Sequence, residues 1–334
     1  MLKERLLKAL TAAPINRLMS NLLGQYVTIY MLHRPQSSDG AFEGINPAQL
    51  EQAIIYAKTA GFRFTSIDEL VADALAGKQQ QQPTLCFTLD DGYQDQLDVL
   101  VPVLLKHGCK PTLFVIADMV NGDDWPWDAK LAYAIWNTPN PRLVINIEGH
   151  EQTFMLGSPE QRIATRRTLT SFAKRLSSAK LVEFLQLALP ALDVDLSTAP
   201  ARYRPATWQS LYEAEQKGLR IGSHGCSHRV FSALDDTQIQ FELIHAKALL
   251  TQHLQSPSRV FCYPSGKAAD FFAEQHGRLL SAQDYIGSLN SIAGNPSFNN
   301  IQTQPFNIYR HSFPNNLHTF IRYSSWLEYL RSKF

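Results

Sequence analysis

Short β-rich runs alternate with helical periodicity from residue 26 onward, and this rhythm limits the fold more than any other feature. Residues 26–32, 62–66, 84–89 and 112–116 have strand length and strand composition. Helical segments fall between them at 46–60, 67–75 and 97–107. Their ends carry recognisable chemistry: Asn46 as N-cap with Pro47 behind it, Gly61 as a stop, Asp68 and Glu69 in a first turn, and Gly108 as a stop. After residue 206 the same rhythm returns. A helix at 207–217 ends at Gly218, and a strand at 219–221 follows. Then come a helix at 236–254, strands at 260–263 and 285–289, a last strand at 307–310 and a closing helix at 317–330. Strands separated by helices at this spacing predict a parallel α/β architecture, either barrel or open sheet.

The rhythm breaks at about 125–206. Residues 143–147 and 153–156, separated by Glu148, Gly149 and His150, predict a β-hairpin. Residues 158–176 and 178–189 predict two helices, the first rich in Arg and Lys. This stretch reads as an insertion into the repeating unit. Trp125, Trp127, Tyr133 and Trp136 read as core or groove wall, and Gln79 to Gln82 as a polar loop.

A chain of 334 residues has room for one large or two modest domains. Its 31 basic and 30 acidic residues leave a net charge of +1, which removes any global electrostatic reason to bind nucleic acid. The four cysteines, Cys86, Cys109, Cys226 and Cys262, form no CxxC pair and read as reduced thiols, which favours the cytoplasm. No apolar run approaches the roughly 18–20 residues that span a bilayer. In residues 1–25, Lys3, Glu4, Arg5 and Lys8 interrupt any signal-peptide core. Leu2, Leu6, Leu7 and Leu10 form an apolar stripe that Pro14 ends. That segment is expected either to dock on the domain or to touch the inner membrane peripherally.

Two clusters carry chemistry. Thr88-Leu89-Asp90-Asp91-Gly92 ends a buried strand, on the side where parallel α/β folds place their active sites. One of its carboxylates can bind a metal while the other stays free as a base; alternatively the segment is an ordinary Asp-capped turn. Ser223-His224-Gly225-Cys226-Ser227-His228 also follows a strand, and its two imidazoles suit zinc or a similar ion. Cys226 reads as packing. Two His and one Asp make a three-ligand set with an open position for water, the pattern of catalytic sites.

At these residues the chain resembles the NodB-type polysaccharide deacetylases, carbohydrate esterase family 4. Thr88 to Gly92 resembles the family's Thr-Phe-Asp-Asp-Gly motif, and His224 to His228 its His-Ser/Thr-x-x-His motif. Tyr30-Met31-Leu32-His33-Arg34 resembles the early Tyr-His-Arg segment. Phe261-Cys262-Tyr263-Pro264-Ser265-Gly266 resembles the third motif. The resemblance implies a distorted (β/α)7 barrel, here with the inserted hairpin-plus-helices segment, spanning residues 26–334. It implies a divalent metal, zinc first, with cobalt, manganese or nickel as alternatives, held by Asp91, His224 and His228. Asp90 becomes the general base. Tyr263, Pro264 and Ser265 border the substrate, and a backbone amide near Ser265 helps to bind the oxyanion.

The departures are also informative. Cys262 stands where many members have an Arg that holds the catalytic Asp, and Arg310 is expected to reach in as its substitute. No Leu-x-His-Asp motif supplies a catalytic acid, so His311 is the nearest candidate. His33 is expected to contact substrate. The resulting reading is a metal-dependent hydrolase that removes an N-acetyl group from a sugar or oligosaccharide, a precursor of surface polysaccharide. Its alternatives are a catalytically silent sugar-binding relative, or a metal hydrolase of an O-ester or a non-sugar amide. The insertion, rooted beside the metal, is expected to set specificity and leave chemistry to the barrel.

Overall fold

A computed structural model of the chain describes residues 6, 9–23, 26–37, 43–78, 82–122, 124–147 and 149–331. The N-terminal charges Lys3, Glu4, Arg5 and Lys8, the stripe residues Leu2 and Leu7, most of the polar run at 79–82 and the turn residue Glu148 lie outside these residues. The strands in chain order are β1 (Val27–Leu32), β2 (Arg63–Phe64), β3 (Thr84–Asp91), β4 (Thr112–Val115), β5 (Arg142–Ile147), β6 (His150–Met155), β7 (Arg220–Ser223), β8 (Val260–Cys262), β9 (Gly287–Leu289) and β10 (His311–Ser312). Eight of them form one curled sheet in the order β10-β1-β3-β4-β7-β8-β9, with β2 beside β3. Every pairing in it is parallel. This is the barrel type expected.

Parallel strands covered on both faces need near-continuous apolar sequence, and all of β1 and nearly all of β3 are buried. The two faces of β3 serve different cores. Leu85, Phe87 and Leu89 pack outward against the helices Pro47–Thr59, Val101–Lys106 and Trp208–Gln216. Cys86 faces inward with Val27, Ile29, Phe114, Cys262 and Leu289. Two-residue alternation therefore sends Thr88 and Asp90 into the barrel as well. The register sets Asp91 beside Val115, Val115 beside Ser223, and Ser223 beside Phe261, so the C-terminal strand ends share one rim.

The expected strand at 307–310 is instead a crossing segment. Ile308 bridges to Leu289 of β9, and three residues later His311 and Ser312 pair with Tyr30 and Met31 of β1. Residues 308–312 thus join the two edges of the curled sheet, with Arg310 in the seam. The expected closing helix is broken at Ser324 and Ser325 into Leu317–Tyr323 and Trp326–Arg331.

Between β4 and β7 the chain builds a lobe with its own core. β5 and β6 pair antiparallel as a separate two-stranded sheet. Leu143 and Ile145 of β5 alternate inward. They pack on the helices Pro159–Ala173 and Ser178–Ala191 through Leu169, Leu181 and Phe184. A third helix, Trp127–Asn137, was not expected; its buried face of Trp127, Leu131, Ala134 and Ile135 completes this core. Its signal is weak because Pro126 and the aromatics resemble a loop and no side chain caps it. No helix among the described residues is long and apolar enough to cross a membrane.

Candidate metal centre

Asp91, His224 and His228 converge on the rim. The Asp91 Oδ1 atom lies 3.8 Å from Nε2 of His224 and 3.8 Å from Nε2 of His228. One donor atom from each of the three lies within 4.8 Å of the others. Donors about 2.0–2.2 Å from a tetrahedral ion sit roughly 3.4 Å apart, so the set fits a divalent cation of zinc size. Each imidazole presents Nε2 because its Nδ1 is already engaged. His224 Nδ1 meets the Cys262 carbonyl at 2.8 Å, and His228 Nδ1 meets Asp128 Oδ1 at 3.1 Å. Such partners fix tautomer and ring orientation in metal sites.

The backbone that presents these groups is strained. Strand alternation alone would turn Asp91 away from the barrel interior. Its φ of 87° breaks the strand and brings its carboxylate to the histidines. His228 has φ 56° and Ser265 φ 62°, and Gly92, Gly225 and Gly266 are also left-handed. All three motif loops therefore use a conformation that L-residues avoid, the kind of strain that surrounding structure must hold in place.

Burial and charge set the protonation states. Burial pushes the His224 imidazole down to about 4. Burial also disfavours charge on His228, but the Asp128 and Asp91 carboxylates outweigh it and raise His228 to about 9. Asp90 is 3% exposed, and burial would raise its pKa; the Arg310 guanidinium prevails and holds it well below the usual carboxylate range.

Arg310 reaches Asp90 as expected. Nη1 donates to Oδ1 at 2.8 Å and Nη2 to Oδ2 at 2.9 Å, a planar two-point pair. The guanidinium also donates to Thr88 Oγ1, to the Asn290 carbonyl and, at 3.1 Å, to Cys262 Sγ. The small Cys262 side chain leaves the space that this guanidinium fills. All four cysteines are buried and unpaired.

Three supports escaped sequence reading. Gln96 is fully buried; its Oε1 accepts from the amides of Gly92 and Tyr93, and its Nε2 donates to the carbonyls of Asp90 and His33. Glu242 accepts from the amides of Cys226 and Ser227 and from the Ser227 hydroxyl, which ties down the loop between the two histidines. A Cβ on Gly225 would stand 2.9 Å from Glu242 Oε2, so glycine replaces the commoner Ser or Thr here. The third support is Asp128. Each is one polar residue on a helix, Gln96 at the start of a π-helical turn, and only its partners reveal it.

The other expected site residues divide. His33 is exposed directly after β1, and its carbonyl shares the Gln96 side-chain amide with the carbonyl of Asp90. Pro264 and Ser265 lie on the third-motif turn, with Pro264 3.8 Å from where a Gly225 Cβ would be. Tyr263 does not border the site. Cys262 points inward, so its neighbour points out, where Tyr263 stacks on Phe271 at 4.4 Å between Phe231 and Phe261. His311 needs the same correction: Arg310 faces the interior, so His311 faces the helix layer. It stacks on Tyr323 at 4.5 Å and bonds Asn295, away from the rim. Nor does the lobe stand apart from the chemistry, because Asp128 on its first helix touches a candidate ligand.

The family model described as polysaccharide deacetylase matches residues 188–279, a segment that contains His224, His228 and Cys262. No curated protein matches the sequence. Among solved structures, the chain is similar to the Streptococcus pyogenes deacetylase PplD in complex with acetate, at 15% identity and a TM-score of 0.59, over 90% of this chain and 99% of that one. It is similar to IcaB from Ammonifex degensii at 18% identity and TM-score 0.55, over 90% and 97% of the two chains. A de-N-acetylase from Aggregatibacter actinomycetemcomitans gives 11% identity and TM-score 0.53, over 90% and 100%.

Proposed function

We propose that this chain, which shares the fold of the polysaccharide deacetylases and a matched segment of their family sequence, is a metal-dependent hydrolase that removes N-acetyl groups from a sugar or oligosaccharide. One observation carries the reading: three metal-type donors meet on the rim beside a separate carboxylate, Asp90, that Arg310 keeps ionised. A silent sugar-binding relative would have no need of both.

Asp91, His224 and His228 would hold the cation. When bound, a divalent ion supplies Lewis acidity at the open position and lowers the pKa of water there toward about 7. Asp90 takes the proton of the attacking water. Its pairing with Arg310 makes it a weak base, adequate for an acidified water, and makes its protonated form a strong acid. Asp90 therefore also returns the proton to the departing amine, the role that His311 is too far away to fill. The Ser265 backbone amide aids the developing oxyanion. His33 contacts the sugar at the mouth.

The substrate belongs to surface polysaccharide synthesis on this reading. Acetate in the similar PplD structure is the product class expected here. The helix Ala13–Leu23 leaves Leu18 and Leu22 exposed, which supports peripheral membrane contact through residues 1–25. The test is metal analysis of the purified protein with acetate release from matched N-acetylated and O-acetylated sugars. Zinc-dependent release from the N-acetyl set alone is expected. Release only from O-esters, or no metal and no release, sinks the proposal.

A further inference from the structure

The barrel rim anchors two of the three candidate ligands. Asp91 ends β3, and His224 is held through Nδ1 by the carbonyl of β8 residue Cys262. His228 is different. Its ring is held by Asp128, and its carbonyl accepts from Trp127 Nε1 at 3.3 Å. The next residue, Arg229, donates from Nη2 to the Leu176 carbonyl at 2.7 Å. Asp128 and Trp127 open the helix Trp127–Asn137, and Leu176 follows the helix Pro159–Ala173; Trp127 and Leu176 both belong to the lobe core. Two lobe contacts thus converge on one left-handed residue, and a third holds its neighbour.

Resting on the metal reading above, we propose that the lobe is a working part of the metal centre: Asp128 and Trp127 position His228 and set the affinity of the site for its cation. Asp128 is a positioning residue that acts through His228. It keeps the proton on Nδ1, so Nε2 carries the lone pair, and its negative charge raises the ring's basicity as a ligand. Trp127 holds the strained backbone that aims the ring.

The test measures zinc affinity by competition with a chromophoric chelator, and records the visible spectrum of the cobalt form, for the full-length protein and three variants. Asp128→Ala should weaken zinc by about 10–100-fold and alter the cobalt spectrum. Asp128→Asn, which keeps an acceptor oxygen without the charge, should fall between Ala and wild type. Trp127→Phe should give a smaller loss. Asp124→Asn, an exposed carboxylate four positions earlier that pairs with Lys130 instead, should leave affinity unchanged. Thermal unfolding shows whether each variant is folded. Wild-type affinity and spectrum in folded Asp128→Ala overturn the inference, and so does an equal loss in Asp124→Asn. Failure of the wild-type protein to bind zinc or cobalt removes the metal reading and this inference together, a result distinct from variants that bind as wild type does.

Discussion

Arg310 grips both carboxylate oxygens of Asp90 from 220 positions away in the chain, and both side chains are buried. Breaking a buried pair by removing one partner strands the other charge, which costs about 3–5 kcal/mol. Arg310→Met should therefore lower unfolding free energy by about that amount, and the double variant with Asp90→Asn should recover part of it. Chemical denaturation of the four proteins measures the coupling. Additive losses would show that the pair does not act as a unit.

Asp90→Asn keeps shape but cannot take a proton, so turnover should fall by about 10²–10⁴-fold while zinc stays bound. Asp91→Asn should lose zinc first. Acetate release and metal content, measured on the same samples, separate the two. A near-normal rate in Asp90→Asn would reverse the roles assigned here.

Glu242→Ala leaves the buried amide of Cys226 and the Ser227 amide without their acceptor. At about 1–3 kcal/mol for each unsatisfied group, the loss should be a few kcal/mol in urea unfolding. Gly225→Ser should destabilise as well, through its φ of 77° and the approach to Glu242. A stability unchanged in both would mean that the loop is held by something else.

Burial pushes His276 and His311 each down to about 4. Their unfolded values lie near 6.5, so the unfolded chain binds protons that the folded chain refuses. The share of stability that these two histidines govern should be complete above about pH 6.5 and should decline as pH falls from there toward 4. His276→Gln keeps an acceptor for the Phe272 amide, now made by Nδ1, and should flatten that decline. Melting temperatures across this range check it; an unchanged pH slope counts against the assignment.

The strands, most helix ends and the three candidate ligands were legible because they rest on local chemistry: apolar runs, N-caps such as Asn46, and motif spacing. Arg310 was legible as a substitute because Cys262 is too small to do the work of an Arg. Tyr263 and His311 were misread for one shared reason. Each directly follows an inward-facing residue, Cys262 or Arg310, and in extended chain adjacency in sequence means opposite faces in space. Asp128, Gln96 and Glu242 lacked a local signal, since a polar side chain on a helix declares itself only once its partner is known.

The seam formed by residues 308–312 also has a temporal meaning. During synthesis, Asp90 leaves the ribosome long before Arg310, and Ile308 and β10 must arrive before the sheet's edges meet. Until then the barrel interior holds an acid without its counter-charge, which favours hydration of that interior over tight closure. The Asp90–Arg310 pair is thus completed almost last, and a chain cut short before residue 310 should be left open.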